Sequence, residues 1–415
     1  MTRRHSLAKD KISVVLLEGV HPRAAETFAA DGYTQVRSYA GSPSEDEVRA
    51  AVANAHILGI RSRTRVDERV LEAAPKLIAI GCFCIGTDQV DLAAAERRGV
   101  VVFNAPFSNT RSVAELVVAE AVLLLRGVGA LNAAMHRGEW RKSAAGAHEA
   151  RGKTLGIVGY GHIGMQVGVL AEALGMRVLF HDIVAKLALG NAHPTRSLDA
   201  LLEGSDVVTL HVPDTRATRG MIGREQIGRM RPGARLINAA RGGVVDLDAL
   251  ADALESGHLG AAAVDVFPQE PHATGEEFDS RLRGLDNVLL TPHIGGSTEE
   301  AQESIAAEVA EKLLRYSNNG TTLSSVNFPE VSLPEHPGLH RVLHIHANRP
   351  GMLARINEVF SRRSVNVAAQ YLQTSPRIGY VVIDIEAGGL ETAALRELRA
   401  ELDGIDGTIR SRVLS

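Results

Sequence analysis

The chain has 415 residues, of which 45% are hydrophobic and 23% charged, and its formal net charge is -4. It is long enough for two or three domains with buried cores. The small net charge gives no general electrostatic reason to bind nucleic acid or an anionic membrane. Its two cysteines, Cys82 and Cys84, are too few for a disulfide framework or a four-ligand zinc site, and no metal is expected. An N-terminus without an apolar stretch predicts a cytoplasmic protein.

Short β-branched runs alternate with alanine-rich amphipathic segments, a pattern that predicts parallel α/β architecture. The runs form two groups. The first ends near FNAPFSNT, the second begins at GKTLGIVGYG, and a long apolar helix from Val113 lies between them. We therefore predict two doubly wound parallel-sheet domains. A helix follows from Ser297, then a linker with three prolines at residues 321–338, and then a third, small domain.

The strongest local motif is TLGIVGYGHIG, which follows an apolar run and opens a helical pattern. Its glycines form G-x-G-x-x-G: Gly159, Gly161 and Gly164. Such glycines allow a tight turn, the approach of a pyrophosphate and close packing of helix on strand, while the helix N-terminus attracts the anion. His162 and Ile163 would line the turn. Asp182, at the end of the next strand, suits an adenosine ribose and would repel a 2'-phosphate, which favours NAD over NADP. A glycine-rich turn without a ligand is the alternative.

Three further polar residues end predicted strands of the same sheet. They are Arg241 in NAARGGVVD, Glu270 in DVFPQEP and His293 in TPHIGGST. Open α/β sheets bind ligands at the carboxyl ends of their strands. Each residue alone could be structural, as an ion pair, a loop carboxylate or a strand cap. Together they suit acid–base chemistry, because histidine exchanges protons near neutral pH and a nearby carboxylate raises its pKa.

Two stretches near the N-terminus could bind a second anionic group. GIRSRT places Arg61 and Arg63 on either side of Ser62 at the end of an apolar strand. Two arginines there suit a phosphate or a carboxylate, although solvated arginines at a strand end are an equally simple interpretation. GCFCIGTDQVD could present backbone N–H groups near Ile85 and Gly86 to a carboxylate.

The C-terminal segment from about residue 339 predicts the order strand, helix, strand, strand, helix, strand, which is the ferredoxin-like pattern. His346 and Asn348 lie two positions apart, so an extended chain would direct both side chains to one side. Asn366 begins the next strand. An exposed strand histidine and two turn asparagines are the plain alternative to a binding site.

These motifs resemble those of the D-2-hydroxyacid dehydrogenases, and the match continues through GCFCIGTDQVDLAAAERRGVVVFNAPFSNTRSVAEL and into the tail. The resemblance implies that His293 is the acid and base, that Glu270 orients it and that Arg241 binds the substrate carboxylate. Asn109 is implied as a further substrate contact. The resemblance also implies a set of residues along the nicotinamide half of the cofactor: Pro213, Ala239, Ala240, Arg241, Asp265, His293, Ile294, Gly295 and Gly296.

Within this family, the chain most resembles homotetrameric members that oxidise 3-phosphoglycerate with NAD and carry a C-terminal ACT domain. The resemblance implies a substrate domain of residues 1–108 and 296–337, an NAD-binding Rossmann domain of residues 109–295 and an ACT regulatory domain of residues 339–415. It further implies that L-serine inhibits by binding His346, Asn348 and Asn366 where ACT edge strands of two subunits pair. One departure is Ala40, where close relatives have a lysine, so a phosphate contact is expected to be missing.

Two other functions stay open from the sequence. A dicarboxylate such as 2-oxoglutarate could replace the phosphorylated substrate, because two arginines do not distinguish these anions sharply. Alternatively, the chain could be an NAD-sensing corepressor of the same fold, for which catalysis is secondary. An ACT-like tail favours metabolic feedback, whereas corepressors of that kind end in disordered extensions.

Overall fold

The computed structural model describes residues 7–41, 43–271, 275–386 and 392–414. The chain folds into two units, one of Met1–Ser108 with Gln302–Ser415 and the other of Asn109–Ala301. In the described residues, the first unit contains two sheets and the second contains one. No helix among these residues is both long enough and apolar enough to cross a membrane. The boundaries of three separate domains remain a prediction.

The first unit begins with a five-stranded sheet. Its strands are β1 (Ser13–Leu16), β2 (Gln35–Ser38), β3 (Ile57–Ile60), β4 (Ala79–Cys82) and β5 (Val101–Asn104), and its crossover helices are α1 (Arg23–Ala30), α2 (Glu45–Val52), α3 (Glu68–Glu72) and α4 (Leu92–Arg97). The order is β2-β1-β3-β4-β5 and every pairing is parallel. All strands except β2 are buried along their length. Strands covered on both faces read as continuous apolar runs, which is why the sequence reveals them.

The second unit holds a seven-stranded sheet. Its elements are α5 (Thr110–Arg126), α6 (Val128–His136), β6 (Thr154–Val158), α7 (His162–Ala173), β7 (Arg177–His181), β8 (Ala192–Pro194), α8 (Leu198–Gly204), β9 (Val207–Leu210), α9 (Arg224–Arg229), β10 (Ala234–Asn238), α10 (Leu247–Glu255), β11 (Leu259–Val264) and β12 (Val288–Leu290). The order is β12-β11-β10-β9-β6-β7-β8, and all pairings are parallel. The winding direction reverses between β6 and β9, and such a reversal creates the crevice in which doubly wound sheets bind ligands.

A long helix, α11 (Glu299–Asn319), packs on the five-stranded sheet. Gly81 in β4 makes room for it, because a Cβ atom there would lie 2.6 Å from Val309 Cγ1 and 2.7 Å from Leu313 Cδ1. A larger residue at this position would push the helix off the sheet.

The predicted linker, residues 321–338, contains no named helix or strand but is well packed. The Val326 N–H donates to the Val102 carbonyl at 2.9 Å. The Asn327 amide accepts from the Val102 N–H at 2.8 Å and donates to the Val100 carbonyl at 2.9 Å. The segment therefore covers the open edge of β5, which would otherwise expose unpaired backbone groups.

The first unit ends with a four-stranded antiparallel sheet. Its elements are β13 (Leu339–Ala347), α12 (Met352–Arg362), β14 (Val367–Thr374), β15 (Ile378–Glu386), α13 (Thr392–Asp403) and β16 (Thr408–Leu414), in the order β14-β15-β13-β16. The predicted ferredoxin-like pattern and the two doubly wound sheets are thus confirmed. Helix α12 begins after Gly351, whose φ of +87° requires a glycine. Pro350 directly precedes this glycine.

Both faces of the four-stranded sheet are covered. One face packs on α12 and α13. The other shares an apolar cluster with α11 and residues 321–338, to which Ile345 and Tyr380 contribute. At this junction the Arg341 guanidinium donates to both oxygens of Asp384, at 2.6 and 2.7 Å, and to the carbonyls of Asn319 and Pro334. The ion pair joins β13 to β15, and the bond from Arg341 to the Asn319 carbonyl fastens this sheet to the end of α11.

We predict that Asp384→Ala lowers the free energy of unfolding by roughly 3–5 kcal/mol, because it leaves the Arg341 side chain, 0% exposed, as an uncompensated buried charge. Urea unfolding followed by circular dichroism measures the effect. Asp403→Ala removes the carboxylate of an exposed pair with Arg399 and should leave the unfolding midpoint near that of the wild type. Equal midpoints for the two variants would contradict the role of the buried pair.

Candidate active site

The turn between β6 and α7 has the geometry of a dinucleotide-binding loop. Gly159 has φ +92°, and a Cβ atom there would lie 2.4 Å from the His211 carbonyl oxygen. A Cβ atom on Gly164 would lie 2.3 Å from the Gly159 carbonyl oxygen. Nothing lies within 4 Å of a Cβ atom on Gly161, the N-cap of α7. Two glycines therefore close the turn, and the third leaves the backbone open to a pyrophosphate beside the first helical residues, His162 and Ile163.

Asp182 directly follows β7 and is held by two backbone donors. Its Oδ2 accepts from the Tyr160 N–H at 2.8 Å, and its Oδ1 accepts from the Val184 N–H at 2.9 Å. Each oxygen retains a lone pair for a ribose hydroxyl. Ile183 beside it is 98% exposed and Leu187 is 82% exposed. Exposed apolar groups next to a fixed carboxylate suit the adenosine half of NAD, so these residues fit the cofactor.

The loops after β10 and β11 make a close backbone contact at Gly242. A Cβ atom there would lie 2.0 Å from the Phe267 carbonyl carbon and 2.4 Å from the Pro268 nitrogen. Only glycine allows this approach of two backbones. It brings Arg241 and Glu270, which flank the contact in sequence, to the same edge of the sheet.

Asp265, which follows β11, ties its strand to the loop after β12. Its Oδ1 accepts from Thr291 Oγ1 at 2.6 Å and from the Ile294 N–H at 2.8 Å, and its Oδ2 accepts from the Gly295 N–H at 2.8 Å. Between these bonded residues lies His293, which has φ +55°, a left-handed conformation that is uncommon for a residue other than glycine. The carboxylate thus fixes the loop in the shape that presents the histidine.

His293 and Glu270 form a direct pair. His293 Nδ1 lies 2.9 Å from Glu270 Oε2 and 3.1 Å from Oε1, and Oε1 also accepts from the Phe267 N–H at 3.0 Å. The Glu270 hydrogen bond raises the pKa of His293, with the charges of Glu270 and Asp265 adding to it against burial and Arg241. Burial raises the pKa of Glu270, but hydrogen bonds from His293 and Phe267 and the charges of His293 and Arg241 lower it overall. With Nδ1 engaged, Nε2 is the nitrogen that can exchange a proton with a ligand.

The remaining residues predicted for the nicotinamide half lie at the carboxyl ends of four adjacent strands. Pro213 follows β9, Ala239 and Ala240 follow β10, Asp265 follows β11, and His293, Ile294, Gly295 and Gly296 follow β12. Asn109 precedes α5 and packs on Gly296, where a Cβ atom would lie 2.1 Å from Asn109 Nδ2. Among the described atoms, the buried Asn109 Oδ1 has no hydrogen-bond partner. The sheet edge therefore gathers these residues around the His293 loop.

In the first unit, the predicted anion-binding residues lie on the loops after β3 and β4. Arg61, Ser62 and Arg63 follow β3, and Ile85 and Gly86 follow β4. The Gln89 amide donates to the Arg61 carbonyl at 2.7 Å and to the Gly86 carbonyl at 3.3 Å, which links the two loops.

Glu18 is a residue of this region that no motif predicts. It follows β1, and its carboxylate accepts from the N–H groups of Arg61 at 3.1 Å, Arg63 at 3.0 Å and Thr64 at 2.7 Å. The loop that carries the two arginines is therefore rigidly shaped. Glu18 is a polar residue that follows a strand and precedes a glycine. The sequence therefore carries a signal for it of the same type as those for Arg241, Glu270 and His293, which also follow strands.

Of the residues predicted to bind an amino acid, His346 and Asn348 lie at one end of the four-stranded sheet, whereas Asn366 lies at the opposite end, because β14 runs parallel to β13 and begins beside the start of β13. The Asn348 amide donates to the Ser375 carbonyl at 2.8 Å and keeps its oxygen available, and Asn366 donates to Glu386 Oε1 at 3.1 Å. His346 is 3% exposed and packs on Gly379, and burial lowers its pKa. The two asparagines are exposed, whereas the histidine lies inside the sheet layer.

The chain is similar to known dehydrogenases over its full length. Residues 118–295 match the family described as D-isomer specific 2-hydroxyacid dehydrogenase, NAD binding domain, and residues 342–406 match an AHAS small subunit-like ACT domain. The D-3-phosphoglycerate dehydrogenase of Haemophilus influenzae is 58% identical over 100% of both chains. That of Escherichia coli (strain K12) is 59% identical over 99% of both chains.

Two solved structures share the fold of most of the chain. D-2-hydroxyisocaproate dehydrogenase is 25% identical, with a TM-score of 0.69 over 76% of this chain and 100% of that chain. D-lactate dehydrogenase from Aquifex aeolicus, complexed with NAD and lactic acid, is 29% identical, with a TM-score of 0.65 over 77% of this chain and 100% of that chain.

The chain therefore belongs to the NAD-dependent D-2-hydroxyacid dehydrogenases. Its full-length relatives within that family are D-3-phosphoglycerate dehydrogenases. The predictions of an NAD-dependent enzyme and of an ACT domain are confirmed.

We predict that Glu270→Gln moves the alkaline limit of 2-oxo acid reduction to lower pH. Reduction needs a protonated His293, so activity is present below the pKa of this residue and is lost as the pH rises through it. Glu270 raises that pKa, and the neutral amide removes most of this effect. The measurement is kcat/KM against pH. Glu225→Gln, an exposed carboxylate paired with Arg229, serves as the matched control, and a limit shared by all three proteins would disprove the coupling.

Proposed function

We propose that the protein oxidises 3-phospho-D-glycerate to 3-phosphohydroxypyruvate with NAD, the first step of L-serine biosynthesis. The observation that carries the proposal is the His293–Glu270 pair at the carboxyl edge of a dinucleotide-binding sheet. Two relatives that are 58% and 59% identical over nearly the full length carry the name of this activity.

The chemistry assigns one task to each side chain. His293 Nε2 removes the hydroxyl proton during oxidation and returns it during reduction. Glu270 holds the ring through Nδ1 and stabilises the imidazolium that forms. Arg241 offers planar donors to the carboxylate and the reacting oxygen. Bound NAD would supply the acceptor for the hydride that leaves C2.

Substrate choice rests on the loop that Glu18 shapes. Arg61 and Arg63 supply two guanidinium groups for the phosphate, and backbone N–H groups near Ile85 and Gly86, with Asn109, would hold the other end of the substrate. Ala40 follows β2 and lies against Gly19, where a Cβ atom would be 3.0 Å from the Ala40 carbonyl oxygen. A methyl group adds no charge at this position, so we infer weaker phosphate binding than a lysine would give.

An assay of NADH oxidation with a panel of 2-oxo acids tests the proposal. We expect the highest kcat/KM with 3-phosphohydroxypyruvate and a weaker activity with 2-oxoglutarate. Arg61→Ala should raise KM for 3-phosphohydroxypyruvate far more than KM for NADH. His293→Asn should lower turnover roughly 10²-fold or more, the scale of a lost acid–base group. A preference for 2-oxoglutarate, or near-normal turnover of His293→Asn, would refute the assignment.

We infer further that the enzyme is cytoplasmic and assembles as a homotetramer with separate substrate, NAD-binding and ACT domains. Large apolar side chains support self-association: Val128, Leu131 and Met135 on α6, and Trp140 after it, are between 38% and 78% exposed. Such side chains gain stability when a second copy covers them.

We also infer that L-serine inhibits the enzyme at the ACT domain. The exposed Asn348 and Asn366 amides can accept from an ammonium group and donate to a carboxylate. The edge strand β14 is free to pair with the same strand of another subunit, which would place the ligand at the seam. Holding two subunits together there would restrict the conformational changes on which catalysis depends.

We expect L-serine to inhibit the wild type and to inhibit Asn348→Ala much less, because the variant lacks an amide that contacts the ligand. Titration of L-serine against NADH oxidation measures this. Asn357→Ala, on the same domain, is the matched control and should keep wild-type inhibition. Inhibition absent from the wild type, or unchanged in Asn348→Ala, would defeat the assignment.

A further inference from the structure

A bidentate ion pair joins the four-stranded sheet to helix α4. Arg377, in the turn between β14 and β15, donates from Nε to Glu96 Oε1 at 2.8 Å and from Nη2 to Glu96 Oε2 at 2.7 Å. Glu96 is only 4% exposed, although it lies on a short surface helix. Paired hydrogen bonds of this kind fix the relative position of both groups, since each carboxylate oxygen has its own donor.

The turn after α4 also rests on the sheet. Gly99 has φ +65°, and a Cβ atom there would lie 3.3 Å from both Ile345 Cδ1 and Ile409 Cγ2 and 3.2 Å from Arg410 Cβ. Helix α4 and the turn after it therefore contact the four-stranded sheet at two points, through the ion pair at Glu96 and through close packing at Gly99. A shift of the β14–β15 turn cannot leave α4 in place without breaking one of these contacts.

On the ACT side, the same turn is bonded to the residue proposed to bind L-serine. The Asn348 N–H donates to the Arg377 carbonyl at 2.9 Å, and its side chain donates to the Ser375 carbonyl at 2.8 Å. A ligand that hydrogen-bonds to the Asn348 side-chain amide would therefore compete with the bond from this amide to Ser375, in the turn that carries Arg377.

The segment just before α4 is hydrogen-bonded to the loops proposed to bind substrate. Asp91 caps the helix, with its Oδ1 accepting from the Ala94 N–H at 2.8 Å, and its own N–H donates to the Val66 carbonyl. Gln89, two residues earlier, bonds the carbonyls of Arg61 and Gly86. A movement of α4 is thereby transmitted to both loops.

We propose that Glu96 and Arg377 form the contact through which the L-serine site and the substrate loops influence each other, and that both are positioning residues for residues 84–91. This inference rests on the proposed function of the two sites. Ligand binding near Asn348 changes the bonding of the turn, the ion pair carries the change to α4, and Gln89 moves with the helix. Coupling between two binding sites is reciprocal, so substrate weakens L-serine binding by the factor by which L-serine weakens substrate binding.

The test compares the wild type with Arg377→Gln and with the conservative Arg377→Lys. Calorimetry measures L-serine binding to each free enzyme, and kcat/KM for 3-phosphohydroxypyruvate is measured with and without saturating L-serine. We expect Arg377→Gln to bind L-serine normally while the loss of kcat/KM that L-serine causes shrinks roughly 2- to 30-fold, the range for a residue that carries coupling. Arg377→Lys keeps the charge and should retain part of the response.

A second readout follows the loops directly. L-serine should alter hydrogen exchange of residues 84–91 in the wild type but not in Arg377→Gln. Arg363→Gln breaks a comparable pair with Glu401, 2.6 Å from Nη2, within the ACT domain and should behave as the wild type.

The possible outcomes separate this inference from the function on which it rests. If L-serine inhibits Arg377→Gln fully, the proposed coupling is refuted. It is also refuted if Arg377→Gln loses both L-serine binding and inhibition, because the Glu96–Arg377 pair would then only shape the L-serine site. A wild type that reduces 3-phosphohydroxypyruvate but does not bind L-serine overturns the coupling while the dehydrogenase activity stands. A wild type inactive on that substrate refutes the proposed function itself.

Discussion

The geometry of the active-site edge depends on one carboxylate, that of Asp265. It is 1% exposed, and its three hydrogen bonds hold Thr291, Ile294 and Gly295 around the left-handed His293. A buried charge is stable only when such donors compensate for its lost hydration. Burial and the nearby Asp265 raise the pKa of Glu120, on α5, to about 8. Near neutral pH, Glu120 is therefore mostly neutral.

The parts of this site that the sequence reveals are those encoded within a few residues. The three glycines of the β6–α7 turn, and the residues that end β7, β10 and β12, stand beside their strands, so periodicity and turn chemistry suffice to find them. Glu18 acts on residues more than 40 positions away, and Arg377 meets Glu96 across 281 positions. No local pattern records such contacts, because they depend on how strands and helices are arranged in space.

Burial explains two further differences between expectation and structure. Alternation along β13 suggests an accessible His346, but the sheet is covered on both faces, so a period of two no longer separates buried from exposed positions. Residues 321–338 have the prolines and polar groups of a linker. In the structure, the Asn327 side chain and the Val326 N–H bond the backbone of β5, and composition alone cannot distinguish such a segment from a solvated linker.

The four-stranded sheet and its helices α12 and α13 form a C-terminal module that is not readily separated from the rest of the first unit. The reason is the apolar cluster that the sheet shares with α11 and residues 321–338. Leu343 and Tyr380 of that sheet are buried against Leu313, Tyr316 and Phe328 of the preceding segments. A chain ending after α11 would present this surface, together with an unpaired β5 edge, to water. Gain or loss of the module by recombination would therefore require compensating substitutions in the rest of the first unit, so the two parts are constrained to evolve together.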